Sequence, residues 1–220
     1  GDETVPMLKM GEDEFESLEN DQLVVQGMLA SRYLAQFEET VHKWQHALSM
    51  MAEVLLAVTD IQRTWAYLEP LFIHSDEVKK ELPETAERFK GIDSDVREML
   101  QGLWTTKNCV NGCIKEGLLK GCENIVEQLD VCKKSLADFL DGRRRQFPRF
   151  YFTSEADLLD ILSNGSNPRK IMVHVPKIYL STKSFDLEQE EGEERPTVIR
   201  FIAGVGMETT TFDPPVRLDG

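Results

Sequence analysis

Residues 41–65 read VHKWQHALSMMAEVLLAVTDIQRTW, and this stretch decides the fold class. Seven large apolar side chains and one amide recur in it at alternating spacings of three and four residues: Val41, Trp44, Leu48, Met51, Leu55, Val58, Gln62 and Trp65. Such spacing places side chains on one face of an α-helix. Neither glycine nor proline occurs between Phe37 and Glu69. The pattern therefore predicts one helix of about 33 residues, about 50 Å long.

Pro70 should end or kink this helix, because the residue before a proline avoids the helical region. Gln62 has two interpretations: an amide at the edge of the core that bonds a neighbouring helix, or a polar contact that fixes helix register.

Further helices are predicted downstream, over 84–106 after Pro83 and over 123–146, with a short one capped by Ser154. The aromatic stretch 147–152 (FPRFYF) favours an extended conformation. Residues 197–203 and 206–212 have strand character. We therefore predict a mainly α fold, an elongated, rod-like bundle of long helices with a small C-terminal β-hairpin or sheet.

Acidic residues concentrate near the two ends, which suggests three parts. Residues 1–21 are expected to form an acidic leader, solvated or weakly helical, and residues 22–182 the helical body. Residues 183–220 should contain an acidic loop and a β-rich end that continues into a larger chain.

The charge balance excludes two classes of partner. The 220 residues carry 25 basic and 39 acidic side chains, a formal net charge of −14. Binding to nucleic acid or to an anionic membrane surface needs Lys and Arg in excess. No apolar run reaches the roughly 20 residues of a transmembrane helix. The composition predicts a soluble chain.

No catalytic or metal site is predicted. The four cysteines, Cys109, Cys113, Cys122 and Cys132, lack C-x2-C spacing and are expected to be reduced thiols, with a redox pair at 109 and 113 as the alternative. His42 and His46 have metal-ligand spacing, but no third ligand is evident. Neither a P-loop nor a G-x-G-x-x-G motif occurs.

Several stretches in order resemble the linker region of dynein heavy chains. The first is Ile61–Phe72 (IQRTWAYLEPLF), similar to that family's Q-x-x-W-x-Y-L-E-x-[IL]-F motif. It is followed by Leu82-Pro83-Glu84, Arg88-Phe89, Ile92-Asp93, Phe147–Phe152 and Leu158–Gly165. The wording of the motifs is closest to axonemal chains, of the outer-arm type.

This resemblance implies a mechanical role. In the family, the linker is a mostly helical rod lying across a hexameric AAA+ ring, and it bends and straightens as the ring hydrolyses ATP. The segment would therefore be a lever without its own ATPase or cofactor, while ATP and magnesium would bind in the ring of the parent chain. Its partners would be that ring and neighbouring arm subunits, with microtubules reached only through the parent chain. The location would be the cytoskeleton of the ciliary or flagellar axoneme.

The motif residues carried over from the family are expected to have structural roles: Gln62, Trp65, Leu68, Glu69, Phe72, Pro83, Phe89, Asp93, Phe147, Pro148, Arg149, Phe150, Phe152, Leu158 and Leu162. Six of them are expected to be core packing: Gln62, Trp65, Leu68, Phe72, Phe150 and Phe152. Two charged groups are candidates for partner contact. Arg143, Arg144 and Arg145 could meet an acidic partner, or form a solvated helix end. Glu190 and Glu191, within the acidic loop 188–194, could meet a basic surface, or belong to a solvated insertion.

Long amphipathic helices also suit a helical scaffold or adaptor that binds protein partners without a motor. The ordered motifs favour the dynein interpretation. Sequence beyond residue 220 separates the two, since a dynein continues into AAA+ modules and a scaffold into further helical repeats. An enzyme is the third interpretation.

Overall fold

The computed structural model describes residues 5–165, 167–189, 196–206 and 208–218. Within them the helices are α1 (Glu12–Leu29), α2 (Glu38–Glu69), α3 (Asp76–Glu81), α4 (Pro83–Thr106), α5 (Cys109–Cys113), α6 (Leu118–Gln146), α7 (Glu155–Ser163), α8 (Pro168–Ile171) and α9 (Val175–Ile178). Short 3-10 turns cover Leu34–Gln36, Pro148–Phe152 and Met172–His174, and a π-helical turn covers Pro70–His74. The strands are β1 (Thr182–Glu188), β2 (Thr197–Ala203) and β3 (Thr209–Arg217).

Helix α2 is the long helix predicted from residues 41–65. It runs for 32 residues and ends at Glu69, directly before Pro70, as predicted. Its buried side chains follow the apolar stripe: Val41, Ala47, Leu48, Val54, Leu55, Val58, Ile61, Gln62, Trp65 and Leu68. Trp44 is an exception, since it is 48% exposed. The stripe drifts around the helix, because a strict alternation of three and four does not match 3.6 residues per turn.

Helix α1 passes through the boundary predicted after residue 21. It includes the acidic residues from Glu12 to Asp21 and buries only Leu18. The Glu14 carboxylate accepts a hydrogen bond from the Gly11 amide at 2.7 Å, and acidic side chains in a first turn complement the helix dipole. The division into leader, body and β-rich end stays a prediction.

The chain forms two compact units. The first comprises residues 1–74 and 82–134, and the second residues 75–81 and 135–220. In the first unit α1 packs along α2, and α2 also contacts α4 and α5. Its core includes Val54, Val58, Leu68, Phe72 and Phe89, all fully buried.

In the second unit α3 packs on α7, and α9 packs on β1. The sheet has the order β1-β2-β3 and is antiparallel throughout. Phe185 pairs with Phe201, and Phe212 lies on the same side, with the Phe185 and Phe212 ring centres 6.5 Å apart. Arg200 forms an ion pair with its cross-strand partner Asp186.

The predicted fold class is confirmed: the chain is mainly helical, has long helices and ends in a small antiparallel sheet. Two local predictions were wrong, and one strand was missed. β1 was not predicted, because its polar residues at 182–184 mask its alternation. Helix α6 begins at Leu118 rather than near 123, since Gly121 is accommodated inside it. Residues 148–152 form a 3-10 turn rather than an extended segment, because Pro148 starts a helical turn readily.

Candidate functional site: the motif clusters

Gln62, on helix α2, holds the segment around Leu8 in place. Its side-chain amide donates to the Leu8 carbonyl at 2.9 Å and accepts from the Leu8 amide at 2.7 Å. Both bonds join residues 54 positions apart, and Gln62 is only 6% exposed. The amide therefore bonds main chain outside any helix, which neither sequence interpretation foresaw. We call residues 5–10 the strap.

Three further motif residues meet Arg97 between α2 and α4. The Trp65 indole N–H donates to Asp93 Oδ1 at 2.9 Å, and Arg97 Nε donates to Asp93 Oδ2 at 2.9 Å. The Arg97 guanidinium also lies 5.3 Å from the Trp65 ring centre and 3.6 Å from the Glu69 carboxylate. We call these four residues, Trp65, Glu69, Asp93 and Arg97, the bracket. Sequence analysis missed Arg97, although its spacing of four residues from Asp93 on a helix is a pairing signal.

An aromatic pair joins the turn after α2 to α4. Phe72 in the π-helical turn and Phe89 in α4 stack with ring centres 5.2 Å apart, and both are fully buried. Leu68 is fully buried as well. Pro83 is exposed at the start of α4. A proline costs little there, because the first N–H groups of a helix have no hydrogen-bond partner within the helix. The motif thus joins the end of α2 to α4 by apolar and polar contacts together.

In the second unit, the 147–152 segment turns its residues in different directions. Phe147 and Phe150 meet edge to face, with ring centres 4.9 Å apart. Arg149 lies 4.7 Å from the Tyr179 ring centre and donates to the Ile178 carbonyl. Phe152 is 72% exposed, so its predicted core position was wrong. Pro148 is exposed, because the segment forms a 3-10 turn on the surface of the unit.

Helix α7 carries leucines that pack in the core and aspartates that pair with basic side chains. Leu158 is fully buried and Leu162 half-buried. The Ser154 hydroxyl caps the helix by accepting from the Asp157 amide at 3.1 Å, as predicted. Lys177, which donates to the Asp157 carboxylate at 2.7 Å, and Ser154 lower the pKa of Asp157. The buried His174 bonds Asp160 at 2.6 Å.

Two of the three arginines at the end of α6 are paired within the second unit. Arg143 bonds Glu81 at 2.8 Å and lies over the Phe139 ring, while Arg145 bonds Asp141 at 2.7 Å. Arg144 is half-buried. A partner would have to compete with these pairs, so contact through this run stays a prediction. Glu190 and Glu191 lie outside the described residues.

The cysteines are free thiols, and only Cys109 is exposed. Burial, reinforced by the neighbouring Cys109, raises the pKa of Cys113 to about 12, and burial raises that of Cys122 to about 11. Burial also raises the pKa of Cys132. In the part of the chain that the structure describes, no group of three potential ligands could hold a metal ion. Among the same residues, no helix has the length and apolarity needed to span a membrane.

Thiol labelling should therefore separate one cysteine from the other three. Because the thiolate is the reactive species, a disulfide reagent such as Ellman's should react fast with Cys109 alone in the native chain. The remaining thiols should react only after unfolding in urea. Stopped-flow absorbance measures both phases, and Cys109→Ser should remove the fast one. A second fast thiol in the native chain would contradict the burial of the other three.

The comparisons identify the family. The profile described as "Dynein heavy chain, N-terminal region 2" matches residues 1–219. The chain is 46% identical to the dynein alpha chain of the flagellar outer arm of Chlamydomonas reinhardtii. The 213 aligned residues cover 96% of this chain and 5% of that protein. It is 37% identical over 217 residues to the ciliary dynein beta chain of Heliocidaris crassispina, covering 98% of this chain and 5% of that protein.

A human protein is similar to the chain as well. Dynein axonemal heavy chain 9 is 41% identical over 175 residues, which cover 80% of this chain and 4% of that protein. The chain thus spans about one twentieth of the length of the curated relatives that it matches. These relatives are flagellar, ciliary and axonemal, and their names place this sequence in the cytoskeleton of cilia and flagella. The chain belongs to the dynein heavy chain family, as an N-terminal region of an axonemal member.

Proposed function

We propose that this chain is a mechanical linker segment of its heavy chain. It transmits force between an AAA+ ring, formed by other parts of the same chain, and the arm to which the motor belongs. ATP and magnesium act in that ring, and microtubules are reached only through the parent chain. The segment itself performs no chemistry, consistent with the absence of a P-loop motif from its sequence.

The bracket is the observation that carries this proposal. Helix α2 has 32 residues, about 48 Å at 1.5 Å per residue, and a lever of that length must resist bending at its end. Asp93 holds both Trp65 and Arg97 there, and Phe72, in the turn after α2, stacks on Phe89 of α4. Aromatic burial and charge-assisted hydrogen bonds resist displacement of one helix along the other.

A lever also needs a place to bend. Helix α5 ends at Cys113 and α6 begins at Leu118, with Gly117 between them at a φ of 80°. Glycine populates this left-handed region at little cost, so the connection can change conformation without breaking a long helix. We propose this connection as a bending point within the first unit.

The test uses the whole heavy chain as a purified motor. Arg97→Gln removes the two ion pairs and the contact with the Trp65 ring. We expect slower microtubule gliding while ATP turnover per motor is retained, because less of each cycle's movement is transmitted. Arg63→Gln is the matched control, since Arg63 also lies in an ion pair on α2 but is 81% exposed.

Unchanged gliding in a folded Arg97→Gln motor would reject the lever role of the bracket. A loss of ATP turnover in equal proportion would point to a role in the ring cycle instead. Loss of the motor from its arm, with normal gliding of the purified motor, would favour the helical scaffold.

A further inference from the structure

A concave, largely apolar cavity lies within the first unit. Its volume is about 480 Å³, inside the range of sites that bind ligands or side chains. Four segments form its walls: the strap, α2, the end of α4, and the turn into α5. The lining residues are Pro6, Met7, Leu8, Lys9, Leu55, Leu100, Leu103, Trp104, Lys107, Asn108, Cys109, Gly112 and Cys113.

Three apolar residues that line the cavity belong to the core. Leu55, Leu100 and Cys113 are 4%, 3% and 1% exposed. The strap forms one wall, and the two hydrogen bonds of Gln62 to Leu8 hold that wall in place. An apolar group that enters would bury apolar surface against these side chains, which is the main source of affinity in such sites.

Trp104 marks the opening of the cavity. Its side chain is 62% exposed, an unusual exposure for the residue type with the largest apolar surface. Tryptophan is among the residues that dominate binding energy at protein interfaces. The indole therefore offers apolar area that the fold of the first unit leaves uncovered.

The charge of the cavity is opposite to that of the whole chain. Lys9 and Lys107 line it, and no aspartate or glutamate among the described residues does, while the chain carries a net charge of −14. The main chain of Lys107 has a φ of 53°, directly after α4. Asn108 then caps α5 by accepting from the Asn111 amide at 2.8 Å. Because both lysines are positively charged, they attract a carboxylate-bearing partner to this opening and repel a basic one.

We propose that the cavity is a docking site for a short acidic segment of a separate polypeptide chain. One bulky apolar side chain of that segment inserts between Leu55, Leu100 and Trp104. Flanking carboxylates pair with Lys9 and Lys107. The combination of a buried apolar anchor and a charged rim is that of a protein interface rather than of a purely apolar ligand pocket.

The experiment uses the whole heavy chain in its assembled arm. Trp104→p-benzoylphenylalanine places a photo-reactive group at the opening, and mass spectrometry identifies the peptides that it cross-links. We expect a segment of a different chain that has a large apolar residue beside aspartate or glutamate. A fluorescent synthetic peptide of that segment then measures affinity for the purified heavy chain by anisotropy.

Two variants test the chemistry. Lys9→Ala with Lys107→Gly should weaken peptide binding about tenfold and reduce its dependence on salt. Glycine is chosen at 107 because it accepts a positive φ without strain. Lys120→Ala, an exposed lysine of α6 outside the lining, should leave binding unchanged.

Four outcomes overturn the proposal. They are cross-links only to the heavy chain itself, cross-links to a segment without carboxylates, an assembled arm in which the photo-reactive group attaches to no polypeptide, and peptide binding that is indifferent to both lysines. Circular dichroism of the lysine variants confirms that they are folded, so loss of binding cannot be attributed to unfolding.

Discussion

Replacement of Trp65 by alanine should destabilise the chain by about 3–5 kcal/mol, among the largest effects of any single substitution. The side chain is 7% exposed, so its removal leaves a cavity in the core of the first unit. It also takes the indole donor from Asp93 and the ring from Arg97. Urea unfolding followed by far-ultraviolet circular dichroism measures the free energy of unfolding.

Two companion variants separate the causes. Trp65→Phe keeps most of the packing but removes the indole N–H, and we expect a smaller loss of about 1–3 kcal/mol. Trp44→Ala removes an indole that is 48% exposed on the same helix, and its cost should be clearly smaller than that of Trp65→Ala. Equal effects at positions 44 and 65 would contradict the burial of Trp65.

Replacement of Phe89 by alanine should also cost about 3–5 kcal/mol. Phe89 is fully buried and stacks on Phe72 at 5.2 Å, so both a cavity and the loss of the ring pair follow. The same urea titration measures the loss. A double-mutant cycle with Phe72→Ala should give a coupling energy of about 0.5–1.5 kcal/mol for the pair.

Phe152→Ala is the matched control for Phe89→Ala. Phe152 is 72% exposed, and surface substitutions usually change stability by less than about 0.5 kcal/mol. Both phenylalanines belong to family motifs, so the comparison asks whether a motif position is kept for packing or for contact. A large loss at 152 would show that this ring is buried in solution.

The long helices were predictable because their signal is local. An unbroken alternation of three- and four-residue spacings specifies α2 without reference to the rest of the chain, and Pro70 specifies its end. The cap at Ser154 is equally local, since the hydroxyl and the amide that it accepts from are three residues apart. The strand at 197–203 was found from its β-branched and aromatic residues.

The contacts that matter for the proposals were not predictable in the same way. The Gln62–Leu8 bonds and the Trp65–Asp93 bond join residues 54 and 28 positions apart, and no periodicity encodes such pairs. Phe152 and Phe150 have the same composition signal, yet one is exposed and the other half-buried, because a 3-10 turn rotates neighbours to different sides. The cavity beside Trp104 likewise depends on where the strap lies.

The two bonds between Gln62 and Leu8 also have a consequence for the order of folding. Closing a loop of 54 residues has an entropic cost that a single amide cannot offset, so the strap should dock only after α2 has packed on its neighbours. During synthesis, the strap must wait for residue 62 before it has this partner. In native-state hydrogen exchange, the Leu8 amide should then open at a lower free energy than the amides in the middle of α2, which makes it a local reporter of strap release.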